Sequence, residues 1–300
     1  MQKRSEELGL KPIPKLLFQQ AAPASIGILV MSIYMIVDSI FVGRFVGAMG
    51  LAAVAVVSPI IFLIASIGMA IGIGGGSVIS RALGAKNPEK ANHAFGNQAV
   101  LVLGLSILIS VIAFVFIEPV LSVFGAKNRI TEPAIAYFSI LLPSIPFLAW
   151  AMMSNNVIRA EGKPRMAMVV LLIPAIANII LDPILIAGFG MGIEGAAWAT
   201  AASYFASAVY TLWYFSSGRS ELKLKLENMQ PDPQLVQEIF GIGFVTLARQ
   251  GAISLLAIVL NNSLVHYGSE NSVAVFGLIT AVLRFANFPV LGLMQGFLPI

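Results

Sequence analysis

Long apolar runs broken by short polar turns set the pattern of this 300-residue chain. From Leu16 to Val37 there are 22 residues without a charge, and between Arg44 and Arg81 there are 36. About 20 apolar residues cross a bilayer at roughly 1.5 Å per residue. The first run therefore predicts one spanning helix, and the second a Gly-flanked turn at Gly47–Gly50 followed by another. Continued along the chain, the pattern predicts helices at about 14–43, 51–80, 88–117, 131–159, 166–187, 194–216 and 234–265, with an eighth from about 272. Asn87-Pro88 and Asp232-Pro233 each pair a capping side chain with proline at the first helical position. Thr131-Glu132-Pro133 reads as a cap as well, and Glu161–Arg165 reads as a tight turn.

The longest polar stretch, 217–238, separates two hydrophobic blocks. It predicts a six-helix transmembrane lobe over 1–216, a cytoplasmic linker over 217–238, and the first two helices of a second lobe over 239–300. Within the linker, the alternating ELKLKLE of 221–227 reads as a solvated segment. The eighth apolar segment runs to Ile300 without a polar stop, so a longer protein is expected. A faint echo between 46–54 and 267–275 suits a second, repeated half.

Composition agrees with the pattern. The chain is 58% hydrophobic and 11% charged, with mean hydropathy +0.90, against about 25% charged residues in soluble domains. The fold class is all-α, a polytopic transmembrane helix bundle. A net charge of +4 does not point to nucleic acid, because the basic residues are segregated. Thirteen of the 18 Lys and Arg fall in the N-terminus and the even-numbered turns, three in the turns on the other side, and Arg249 and Arg284 within spans. That imbalance predicts a cytoplasmic N-terminus. There is no cysteine, which excludes disulfides and thiolate metal sites. The two histidines, His93 and His266, are far apart. The outer loops offer little acid–base chemistry beyond Lys127, Arg129 and Glu132, so a membrane enzyme is disfavoured and no cofactor is expected.

The candidate chemistry lies inside the spans. Asp38 sits near the outer end of the first, and a carboxylate at such depth costs about 2.5–3.5 kcal/mol on insertion scales. Asn178 and Asp182 are four apart in the fifth span and share a face. Thr200 lies one to two turns into the sixth. Oxygen-bearing groups on three helices thus fall at similar depth. Such a group can hold and release a proton between two acids, bind a hard cation such as Na⁺, or simply hydrogen-bond locally. Tyr34, one turn before Asp38, with Tyr137, Asn155 and Asn156, are candidates for lining a substrate cavity. Pro23 removes a helix hydrogen bond and predicts a kink in the first span. Gly72–Gly76 lacks the Lys and Ser/Thr of a phosphate loop and reads as a close-packing patch. The twelve methionines read as packing first, though they suit a promiscuous pocket.

Six stretches resemble the multidrug and toxic compound extrusion (MATE) transporters. They are DSIFVGRFVGAMGLAAVAV at 38–56, RALGAKNPEKA at 81–91, NNVIRAEGKPR at 155–165, NIILDPILI at 178–186, GIEGAAWAT at 192–200 and GLMQGFLPI at 292–300. The resemblance implies eight helices of a twelve-helix fold in two six-helix lobes. It implies a bacterial inner-membrane antiporter, monomeric and embedded in lipid, exporting cationic or amphipathic compounds in exchange for H⁺ or Na⁺. It assigns the ion site to Asp38, Asn178, Asp182 and Thr200 and a bending role to Pro23. Some branches carry an acid in the seventh helix where this chain shows Arg249, Gln250, Asn261 and Asn262, which favours the DinF-type branch over the NorM-type. A lipid-linked precursor flippase of the same superfamily is the alternative, and it calls for a more cationic cavity.

Overall fold

A computed structural model describes the backbone of residues 13–297, and the side chains within it except at 13–16, 226, 270, 284, 288, 292 and 295–297. The basic lead-in of 1–12, the side chains of Lys15 and Arg284, and part of the 292–300 motif lie outside the described residues.

The predicted spans are present, with breaks where proline removes a backbone donor. Helix α1 spans Ile13–Phe45 and continues through Pro23. It is followed by α2 (Ala48–Gly84), α3 (Pro88–Val115) and the short α4 (Ile117–Val123). The fourth predicted span is two helices, α5 (Thr131–Leu141) and α6 (Ile145–Ala160), joined by a 3₁₀ turn through Pro143 with Pro146 just beyond it. The fifth is α7 (Pro164–Asp182) running into a π-helical turn, Pro183–Gly188. Then come α8 (Gly192–Ser216), α9 (Pro233–Tyr267), α10 (Glu270–Ala286) and α11 (Phe288–Phe297), the last pair breaking the eighth predicted span at Asn287.

Both Asx-Pro caps form. Asn87 accepts from the Lys90 amide at 2.9 Å, and Asp232 from Gln234 at 2.9 Å and Leu235 at 3.3 Å. Thr131 does not cap. A 3₁₀ turn over Asn128–Ile130 leads into α5, and the Thr131 hydroxyl donates to the Ala126 carbonyl.

Six of the described segments are long and apolar enough to cross a membrane. Helix α8, at 25 residues, has the length but not the apolarity. Its inward stripe is Thr200, Ser203, Ser207 and Thr211, all buried, while Trp198, Phe205, Val209 and Leu212 face outward. The polar groups are satisfied inside the bundle: Ser207 donates to the Val170 carbonyl at 2.8 Å, and Thr211 accepts from the Trp150 indole at 2.9 Å.

Helix α2 is the hub, packing against α3, α5, α6, α9 and α10. Its glycine patch is the close-packing surface expected. A Cβ on Gly74 would strike the Ile239 carbonyl of α9, and a Cβ on Gly243 of α9 would strike the Ala70 carbonyl. Two backbones therefore cross in contact. The adjoining ion pairs of Glu238 with Arg81 (2.8 Å) and Lys90 (3.8 Å) are partly exposed, and such pairs contribute at most about 1 kcal/mol. The crossing, not the charges, holds α9 here. Glu238 also supplies an acid in the seventh span, though at its end rather than its middle.

The linker is fastened rather than loose. The buried Glu161 of the α6–α7 turn accepts from the Tyr214 hydroxyl (2.7 Å), the Ser220 hydroxyl (2.6 Å) and the Glu221 amide (2.7 Å). Asn92 accepts from the Lys223 amide at 2.8 Å. Asn97 donates to the Gln230 carbonyl at 3.1 Å and accepts from the Asp232 amide at 2.8 Å. Within ELKLKLE, Leu222 is buried while Lys223 and Lys225 face out.

The crossing yields a stability prediction. Gly243→Ala should lower stability by about 1–3 kcal/mol through overpacking. Gly104→Ala on α3, where a Cβ meets open space, should be neutral or slightly stabilising. Thermal unfolding of both variants in detergent checks the contrast.

Candidate functional site

Asp38 leaves α1 toward the last turn of α7, where Asp182 closes the helix ahead of Pro183. Asp182 and Asn178 are fully buried, and Asp38 and Thr200 nearly so. The side chains of Asp38 and Asp182 lie within hydrogen-bonding reach of each other. The Asn178 amide donates to the Thr200 hydroxyl at 3.1 Å, tying α7 to α8. Asp38 Oδ1, Asn178 Oδ1 and both Asp182 carboxyl oxygens are buried without a hydrogen-bond partner. Four acceptors thus converge from two helices with no protein donor among the described residues. That electron-rich cluster calls for a positive species, since a buried unpaired acceptor costs about 1–3 kcal/mol and a charged one more.

The site opens onto a cavity of about 340 Å³ bounded by α1, α2, α5, α8, α9 and α10. Asp38, Thr200, Tyr34 and Tyr137 line it, and Asn178 and Asp182 stand behind them. The opposite wall, from α9 and α10, is mostly apolar, with Gln250, Asn261 and Thr280 among Ile253, Leu256, Leu260 and Phe276. Both candidate tyrosines therefore lie at the cavity wall. Tyr137 lies within hydrogen-bonding reach of Thr200, and Tyr34 within reach of Tyr204. Tyr204 also lines the cavity, one turn beyond Thr200. Its i+4 spacing from Thr200 was the available signal.

Other candidates lie elsewhere. Asn155, expected in the cavity, is absent from its lining. Its amide donates to the Ala167 carbonyl at 2.6 Å and its oxygen accepts from Arg159 Nε at 3.1 Å, so it fixes α6 to α7. Asn156 donates to the Met152 carbonyl in its own helix. Pro23 lies within an unbroken α1. Among the described residues, no group of three or more His, Cys, Asp or Glu comes together as a metal site.

The sequence pattern of the MatE family matches residues 23–184. Multidrug export protein MepA of Staphylococcus haemolyticus (strain JCSC1435) is 31% identical over 288 residues, covering 95% of this chain and 63% of that protein. Its namesake from Staphylococcus aureus (strain MRSA252) is 28% identical over 289 residues, covering 96% and 64%. The chain thus spans a little under two thirds of the length of these relatives. Among solved structures, the MATE multidrug transporter DinF-BH, in complex with a dye, superposes with TM-score 0.92 at 38% identity, covering 99% of this chain and 67% of that one. An outward-facing multidrug resistance MATE family transporter of the MOP superfamily superposes with TM-score 0.84 at 28% identity, covering 94% and 62%.

The Asn178–Thr200 bond is open to direct test. Thr200→Val keeps shape but strands the Asn178 amide, so it should cost about 1–3 kcal/mol. Thr200→Ser should keep most of the stability. Thermal unfolding of the two variants side by side separates the lost hydrogen bond from lost packing.

Proposed function

The chain belongs to the MatE family of membrane transporters, and we propose that it supplies the ion-coupling part of a multi-pass exporter. In this reading the full protein moves cationic or amphipathic small molecules outward in exchange for H⁺ or Na⁺. It is a transporter and not an enzyme. The observation that carries the proposal is the pair of facing carboxyls at the wall of a largely apolar cavity.

A proton shared between Asp38 and Asp182 removes the repulsion of two carboxylates in contact. A sodium ion in the same place draws on the Asp38, Asn178, Asp182 and Thr200 oxygens, the hard donors that suit it. Either occupant pulls α1 toward α7, and its loss lets them part. Tyr34, Tyr137 and Tyr204 give the cavity aromatic faces suited to organic cations. Pro23 is the point where α1 can bend, because its neighbours lack one backbone hydrogen bond. Small-molecule cargo is also supported by the DinF-BH relative, whose structure is a complex with a dye.

The flippase alternative is less well supported. It calls for a cationic cavity, and no Lys or Arg occurs among the described residues that line this one. The proposed setting is a bacterial inner membrane, as a monomer with a cytoplasmic N-terminus. Arg81, Lys90, Lys163 and Arg219 gather near the linker end of the bundle, as the charge rule requires.

The test uses the full-length protein in vesicles with an imposed gradient of one ion at a time. Asp38→Asn and Asp182→Asn should each lower ion-driven efflux at least about tenfold, equivalent to roughly 1.4 kcal/mol or more of lost coupling, while the protein stays folded. Efflux that follows a pH gradient alone assigns H⁺, and efflux that follows sodium alone assigns Na⁺. Undiminished ion-driven efflux in Asp38→Asn would overturn the proposal.

A further inference from the structure

We propose that Arg159, in the last turn of α6, holds a small monovalent inorganic anion such as chloride inside the linker end of the bundle. The side chain is only 3% exposed. By residue counting it belongs to a solvent-facing basic turn, and the structure buries it instead. Its Nε donates to Asn155 Oδ1 at 3.1 Å. Asn155 is itself fixed by its 2.6 Å bond to the Ala167 carbonyl, so the guanidinium is held in one orientation. Its Nη1 is buried and has no hydrogen-bond partner.

A guanidinium stays charged under all working conditions. A buried charge without a partner costs several kcal/mol, so the protein must hold a counter-charge nearby. Among the described residues Arg159 forms no ion pair. The neighbouring carboxylate in sequence, Glu161, is committed to the linker. Its Oε1 accepts from Ser220 and the Glu221 and Leu222 amides, and its Oε2 from Tyr214, with Lys163 Nζ at 3.9 Å. The counter-charge therefore comes from outside the described chain.

Its chemistry follows from the donors. With Nε committed to Asn155 Oδ1, Nη1 is the buried guanidinium nitrogen left without a partner. A single buried donor group of that kind suits a compact, singly charged anion. A sulfate or phosphate carries more charge to desolvate and more oxygens to satisfy than this place offers. A lipid headgroup would need a path to the bilayer that a 3% exposed side chain does not have.

The experiment is run on the purified full-length protein at constant sodium and constant ionic strength, so it is independent of the ion coupling proposed above. Replacing gluconate by chloride or bromide should raise the unfolding midpoint saturably, by roughly 2–4 °C. Sulfate should give no such rise, and Arg159→Met should abolish the chloride response. Should that variant fail to fold, crystals of the native protein grown in bromide decide the matter. An anomalous peak at hydrogen-bonding distance from Nη1 supports the proposal. An ordered water alone at Nη1, a chloride response unchanged in Arg159→Met, or stabilisation by anionic lipid but not by free halide would each overturn it.

Discussion

Two carboxyl groups facing each other away from bulk water form an arrangement that stands only when something positive lies between or upon them. Asp38 and Asp182 are in that position. Each would cost about 2.5–3.5 kcal/mol merely to insert at depth. The unpartnered oxygens around them add to the deficit, which a proton or cation, as proposed above, would relieve. The pair also joins the first and fifth spans. Because α1 and α7 pack along each other, a change in occupancy of the proposed site would act directly on how these two helices meet.

The surrounding elements hold that site in register. Pro183 cannot donate a backbone hydrogen bond, and the chain answers with a π-helical turn directly after Asp182. Such turns are frequent at functional positions. Asn178 and Thr200 bind α7 to α8, and Glu161 binds the α6–α7 turn to the start of the linker. The far wall of the cavity comes from α9 and α10, which are carried against the lobe by the glycine crossing on α2. The site thus lies among α1, α7 and α8, and the cavity lies between it and α9 and α10.

Much of this was legible in the residues because the membrane leaves few alternatives. A charge-free run long enough to span must be a helix, so the depth of Asp38, Asn178, Asp182 and Thr200 could be counted. The i, i+4 spacing of Asn178 and Asp182 then placed both on one face. What was not legible depended on packing between distant elements. A count of basic residues treats Arg159 as part of a turn, although it is buried with its Nε on Asn155. The polarity of 217–238 resembles a free linker, yet the Glu221, Lys223 and Asp232 amides are claimed by Glu161, Asn92 and Asn97. Asn155 groups with the cavity residues by type, but its amide is directed at a backbone carbonyl of α7. The break in the fourth span at LLPSIP is a local effect of its prolines, although the apolar run around them reads as one helix.

The arrangement of exposed and hidden oxygens carries a further consequence for how site and cavity communicate. Asp182 and Asn178 touch no cavity surface, whereas Asp38 and Thr200 touch both the cavity and the buried pair. Anything that alters the hidden half must reach the cavity through these two side chains or through movement of their helices. Thr200 is held by Asn178 on a helix whose polar stripe is bonded at several points, which leaves it little freedom. Asp38 has an oxygen with no protein partner and sits on α1, which contains Pro23 and lacks the central position of α2. In the coupling proposed above, that physical asymmetry would make α1 the compliant side of the carboxyl pair and α7–α8 the fixed side.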